Sequence, residues 1–124
     1  MEHQFWKLQV WKRSVDFATE IYALTKSFPQ EEKYGLTNLI RRCSVSIPSN
    51  IAKGSSRNTN KNFIYFLSLS RGSIYELQTQ FRIALNLSYI SKPQYSKLHN
   101  ELIELSNMIY KFGLRITNER TNKL

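Results

Sequence analysis

Between Lys33 and Tyr75 the chain carries no acidic residue, yet it carries Lys33, Arg41, Arg42, Lys53, Arg57, Lys61 and Arg71. Cations without neighbouring carboxylates are available to neutralise phosphates. Binding of that kind depends strongly on salt and tolerates many sequences. At helical spacing Arg42, Ser46, Ser49 and Lys53 share one face, and Arg57 and Lys61 continue it. Further on, Arg71, Tyr75, Gln78 and Arg82 line a second face, with a tyrosine to stack on a base. The candidate nucleic-acid-binding set is therefore Arg41, Arg42, Lys53, Arg57, Lys61, Arg71 and Arg82. A solvated basic face accounts for the same residues, as do arginines paired with Glu76, Glu101 or Glu104 across a subunit boundary. Over the whole chain, 18 Lys plus Arg face 9 Asp plus Glu, a net charge of +9. That imbalance points to an anionic partner: nucleic acid, an anionic lipid surface or an acidic protein.

Other chemistries find little support. Cys43 falls on an apolar stripe, where an inert buried thiol is expected rather than a nucleophile. His3 and His99 lie far apart, and neither has a ligand-type residue at metal spacing. His99 reads as a helix-surface residue. No arginine lies near it at the spacing of the arginine–histidine pair used by some helical-bundle ribonucleases. No Ser/His/Asp set, phosphate-cradling glycine loop or carboxylate pair stands out. The expectation is no catalytic residue, no cofactor and no metal. Glu76 reads as one half of a structural salt bridge.

The elements that must carry the basic residues are helices. The first spans about 8–27. Its stripe is Trp11, Val15, Ala18, Tyr22 and Thr25, widened by Leu8, Ile21 and Leu24. Phe28-Pro29 closes it. Gly35 is the expected site of any positive φ, and Thr37 a possible N-cap. The second helix, about 36–52, buries Leu36, Leu39/Ile40, Cys43, Ile47 and Ile51. Pro48 predicts a kink, or two segments meeting near Ser46–Ser49. Ser44, Ser46 and Ser49 are placed to bond the carbonyls that proline strands. Val45, Pro48 and Ala52 form a second, small stripe that lets another helix approach, from the bundle or from a second chain. Gly54 suits the C′ position, and Asn58 or Thr59 the next N-cap. The third helix covers about 60–90, with Phe63, Phe66/Leu67, Ser70, Ile74, Leu77, Phe81, Ala84/Leu85 and Ser88 inward. The Gly72-Ser73 pair suggests close approach of a neighbouring backbone. Ser91 and Gln94 fit a capping box. Leu98, Leu102, Leu105, Met108/Ile109, Phe112 and Ile116 define the fourth helix, with a frayed tail at about 118–124. The 124 residues make one domain: an all-α, antiparallel up-down-up-down four-helix bundle with its second helix kinked near Pro48.

Several separate motifs, in order, resemble one family. They are Val10-Trp11, Pro29, Tyr34-Gly35-Leu36-Thr37, Ile47-Pro48-Ser49-Asn50-Ile51-Ala52-Lys53-Gly54 and Gly72-Ser73-x-x-Glu76-Leu77-x-Thr79. Over about Leu8 to Phe112 the chain is similar to the bacterial four-helix bundle proteins of 23S ribosomal RNA intervening sequences. The resemblance implies a ring-like homopentamer. It also implies kinship with the basic pentameric accessory protein of diversity-generating retroelements, which works with a reverse transcriptase and nucleic acid. The family pattern reads Asn-Ile-Ala-Glu-Gly, whereas this chain has Lys53 at the fourth position. That exchange shifts the local charge by two units and makes the surface more attractive to anions.

Taken together, these features predict a non-enzymatic basic homo-oligomer, a pentamer, that binds RNA or DNA through a positive surface. The alternative is an interaction scaffold that docks an acidic or nucleic-acid-processing protein. A lone cysteine excludes an internal disulfide. The charged N-terminus has no apolar signal-peptide core, and the longest apolar run, Phe63–Leu67, is far too short to span a membrane. A cytoplasmic location without membrane association is expected.

Overall fold

A computed structural model describes residues 4–123, with side chains through Asn118. After a 3-10 turn (Phe5–Lys7) come α1 (Gln9–Thr25), α2 (Leu36–Ser55), α3 (Asn60–Asn86) and α4 (Lys92–Lys123). A second 3-10 turn, Gln30–Glu32, bridges α1 and α2. Each helix packs on its neighbours in sequence, and α4 returns to α1, so four helices form a bundle without strands among the described residues. Of the frayed tail expected at 118–124, the side chains beyond Asn118 and all of Leu124 lie outside the described residues. So does His3.

The core stripes of α2, α3 and α4 fall where periodicity places them, with Ile40, Ile47, Ile51, Ile74, Leu77 and Leu102 fully buried, except that α3 ends at Asn86 and Ser88, expected inward, is exposed beyond it. Leu39 is turned outward and is 54% exposed. In α1 the stripe is rotated by one residue from the expected one. Val10, Ser14, Phe17 and Ile21 face the core with Ala18 and Thr25, while Trp11 and Val15 are half-buried and Tyr22 is exposed. Two of the inward residues are polar. Ser14 Oγ donates to the Val10 carbonyl at 2.8 Å and Thr25 Oγ1 to that of Ile21 at 2.8 Å, so neither carries an unmet hydroxyl inside.

α2 runs through Pro48 as one uninterrupted helix, not two segments. The Ser44 and Ser46 hydroxyls donate to the Arg41 and Cys43 carbonyls. Neither bonds the Ser44 carbonyl, which is the one the proline deprives of its donor. The largest interface joins α2 to α3. There Ser70 Oγ donates to the Ile47 carbonyl at 2.8 Å, Ser46 and Ser73 hydroxyls meet at 2.6 Å, and the Cys43 thiol donates to the Ser73 carbonyl at 3.1 Å. Close approach is therefore made by Ser70 and Ser73. Gly72 faces out, and a Cβ there would meet nothing within 4 Å. Gly54 does not end α2 as a C′ residue. It lies inside the helix, where a Cβ would sit 2.8 Å from Phe63 Cδ1 and 2.9 Å from Phe66 Cβ. On the opposite side of α2, Val45 and Pro48 face α1. With Val15, Ala18, Thr19 and Tyr22 they line a shallow groove of about 350 Å³, so α1 covers the small stripe only in part.

Glu32 supplies the cap expected of Thr37, which is buried inside α2. Its Oε1 accepts from the Leu36 amide at 3.1 Å, and its Oε2 accepts from the Tyr89 hydroxyl at 2.8 Å. One carboxylate thus ties the start of α2 to the α3–α4 connection, where Tyr89 also packs on Phe28. Gly35 has φ of −110°, not a positive value; its role is spatial, since a Cβ there would lie 2.7 Å from Glu32 Oε1. The Leu36 amide, and then Tyr89, hold the Glu32 carboxyl below its usual range. A depressed folded pKa means that this contribution is complete above the ordinary value of 4.5 and is lost as pH falls through the lowered one. Glu32→Gln is therefore expected to flatten the acid limb of a plot of melting temperature against pH.

The positive φ belongs to Ser88, at 63°. The Tyr89 amide reaches the Ala84 carbonyl and the Ser88 amide that of Leu85, which is the Schellman arrangement with serine in the glycine position. Ser88→Gly is expected to raise stability by about 1 kcal/mol, read by urea denaturation. Thr59 caps α3 by accepting from the Asn62 amide, and Ser91 and Gln94 form the expected capping box.

Candidate nucleic-acid interface

The bundle sorts the seven candidate cations onto three surfaces. Arg41 points to the α1–α2 seam. Its Nε donates to Thr25 Oγ1 at 2.8 Å, a second nitrogen donates to the Tyr22 carbonyl at 3.3 Å, and the guanidinium carbon stands 4.8 Å from the Tyr22 ring centroid. Arg41 thereby ties α2 to the last turn of α1, giving the Tyr22 carbonyl a donor from outside its own helix. Arg41 thus works chiefly as a clasp. Arg41→Ala is expected to lower stability by about 1–2 kcal/mol in urea denaturation while leaving the salt dependence of any anion binding unchanged.

Arg42 and Lys53 occupy the outer face of α2 with Ser49, and all three side chains are exposed. The α2–α3 connection adds exposed Arg57 and, at the start of α3, exposed Lys61. Arg57 stands over the Phe66 ring, with 4.6 Å between guanidinium carbon and ring centroid. That contact holds the guanidinium against the ring without using its N–H donors. Arg42, Lys53 and Lys61 form no ion pair among the described residues; the salt bridge there joins Arg13 to Glu104 at 3.0 Å, across the α1–α4 seam. This pairing holds the Glu104 carboxyl below its usual range. Four exposed cations are therefore drawn from the acid-free segment.

Arg71 and Arg82 turn to the α3–α4 seam instead. Arg71 Nε donates to Ser106 Oγ at 3.2 Å and its guanidinium covers Tyr110 at 4.9 Å. Arg82 stands 5.8 Å from the Tyr95 ring. Tyr95 stacks on His99, with centroids 5.6 Å apart and planes 20° from parallel. His99 is not the surface residue expected, because it is half-buried with Nδ1 enclosed. The candidate set omits Tyr95, His99, Ser106 and Tyr110. Their spacing is a usable signal: two pairs four residues apart on α4 mirror Arg71/Tyr75 and Gln78/Arg82 on α3.

Glu76 holds no arginine of its own chain among the described residues. Its carboxylate accepts weakly from the Cys43 thiol at 3.8 Å. Cys43 is buried, and burial together with Glu76 pushes its pKa up to about 12, so it is the inert thiol expected. No cluster of His, Cys, Asp and Glu able to hold a metal occurs among the described residues. Likewise, no helix among them is long and apolar enough to cross a membrane.

Residues 6–111 match the family described as 23S rRNA-intervening sequence protein. A crystal structure from Bacteroides thetaiotaomicron, of a protein of unknown function in the S23 ribosomal protein family, is similar in fold. The alignment covers 83% of this chain and 96% of that one, at 22% identity and a TM-score of 0.76. No curated protein matches.

Proposed function

Because this chain belongs to the 23S rRNA-intervening sequence protein family, we propose that it is a non-enzymatic, basic homo-oligomer that binds RNA or DNA by neutralising backbone phosphates. The observation that carries this reading is the exposed set of Arg42, Lys53 and Lys61, without ion pairs among the described residues and joined by Arg57. Such a set gives affinity without base readout. Lys53 adds a cation where the resemblance leads one to expect a carboxylate.

A pentamer is the proposed assembly, in keeping with the resemblance. Leu39, Leu69 and Ile83 are between 38% and 54% exposed on α2 and α3, and apolar groups of that size favour burial against another copy. The same exposed groups support a second reading, an interaction scaffold for an acidic or nucleic-acid-processing protein. A gel-shift titration with RNA and DNA at low and raised salt separates the two. Binding at low salt that weakens with salt supports the proposal. No shift at low salt, with a stable complex to an acidic protein in a pulldown, supports the scaffold. Solution mass tests assembly separately. Five times the 14.6 kDa chain mass is expected, and a monomer at micromolar concentration contradicts it.

A further inference from the structure

Arg71 and Arg82 are set apart from the α2 cations and belong to a different arrangement. On α3, Arg71, Tyr75 and Arg82 fall within a narrow arc of the helix surface. On α4, Ser106 and Tyr110 meet Arg71, while Tyr95 backed by His99 meets Arg82. The two arginines are eleven residues apart, or about 16 Å along the helix. That distance suits a short run of nucleotides. Between them Tyr75 is 57% exposed, and it has no ring partner among the described residues. Tyr110 is 51% exposed, although Arg71 lies against its ring. None of these seam side chains is acidic.

This combination is more specific than a basic patch. Each arginine is steadied by a ring, and Arg71 also by a hydroxyl. An arginine held in place retains N–H donors for phosphate at reduced entropic cost. An exposed tyrosine ring offers a stacking face, which an unpaired base can use and a base inside a duplex cannot. The enclosed His99 Nδ1 lacks a hydrogen-bond partner among the described residues, which leaves a polar atom in the same seam unused by the fold.

We propose that the α3–α4 seam is a stacking track for single-stranded nucleic acid, with Arg71 and Arg82 on phosphates and Tyr75 and Tyr110 under bases. The proposal rests on the nucleic-acid reading above, and it adds strandedness and a second surface. The ligand chemistry is a phosphate chain with unpaired bases. RNA and DNA strands of one sequence distinguish its two sources.

The test is fluorescence anisotropy with a labelled 12-nucleotide strand and its matched duplex, as RNA and as DNA. The full-length protein is compared with Tyr75→Ala/Tyr110→Ala, with Tyr75→Phe/Tyr110→Phe, and with Arg82→Ala, each checked for helicity. The single strand should bind wild type more tightly than the duplex does. The double alanine variant should lose roughly tenfold or more per ring on the single strand and little on the duplex, and the phenylalanine variant should bind like wild type. Arg82→Ala, at an exposed position, should weaken single-strand binding in a folded protein. Equal affinity of the double alanine variant and wild type for the single strand overturns the track and leaves the α2 surface standing. Binding of neither form by wild type at low salt overturns both.

Discussion

Gly54→Ala is expected to lower stability by about 1–3 kcal/mol, although alanine is the better helix former. The added methyl would lie 2.8 Å from Phe63 Cδ1 and 2.9 Å from Phe66 Cβ. The Phe63 ring is 2% exposed and packs edge-on against Phe112, with centroids 5.6 Å apart. It has little room to turn. Phe66 Cβ is anchored to the α3 backbone, so relief requires α2 and α3 to separate. Their separation would also stretch the Ser70–Ile47 and Ser46–Ser73 hydrogen bonds. Gly72→Ala is the matched control. With nothing within 4 Å, it should gain about 1 kcal/mol from helix propensity alone. Urea denaturation of the two variants should move the midpoint in opposite directions. A Gly54→Ala midpoint at or above wild type contradicts the packing described.

Reversing charge at the α2 surface should have the largest effect on binding. In Arg42→Glu/Lys53→Glu/Lys61→Glu the formal net charge falls from +9 to +3. All three side chains are exposed and outside the core, so the fold should persist. Affinity for RNA or DNA should fall about 100-fold or more at low salt, and the slope of log K against log salt should become shallower by about 3. A charge-matched variant, Lys12→Glu/Lys26→Glu/Lys97→Glu, places the same change on exposed positions of α1, its C-terminal end and α4. It should lose far less. Equal loss in both variants would mean that net charge, rather than this surface, drives binding.

How legible a residue's role is in the sequence depends on what that residue needs. The stripes of α2, α3 and α4 are plain because Ile, Leu and Phe recur at helical spacing. In α1 the expected stripe points one residue away from the true one, and Ser14 is the inward residue that an apolar pattern leaves out. A count of apolar residues passes over a hydroxyl, such as that of Ser14, which satisfies itself on the preceding turn. Glycines are easy to find and hard to assign. Gly54 and Gly35 are small for the sake of Phe63, Phe66 and the Glu32 carboxylate, and two of those three partners come from another helix. The positive φ sits at Ser88, where composition offers no cue.

The basic set is legible as charge and not as geometry. Arg41 and Arg42 are adjacent in sequence and look alike there. The 100° turn between them sends one to Thr25 and Tyr22 and the other to solvent. Helical spacing groups Arg71 and Arg82 with Tyr75 correctly, but their partners on α4 appear only once the helices pack. The segment after Gly54 shows the converse. Arg57 and Lys61 are expected from sequence to be solvent-facing cations, and both are exposed.

Arg42, Lys53, Arg57 and Lys61 are proposed to form a phosphate-binding surface. Its most direct test is equilibrium anisotropy of a labelled RNA with the wild-type protein across low to raised salt. Four phosphate contacts per chain imply a steep fall of affinity, with log K declining against log salt at a slope of roughly −3 to −4 per engaged chain. Affinity that does not change with salt, or no binding at the lowest salt, would rule out phosphate neutralisation by this surface.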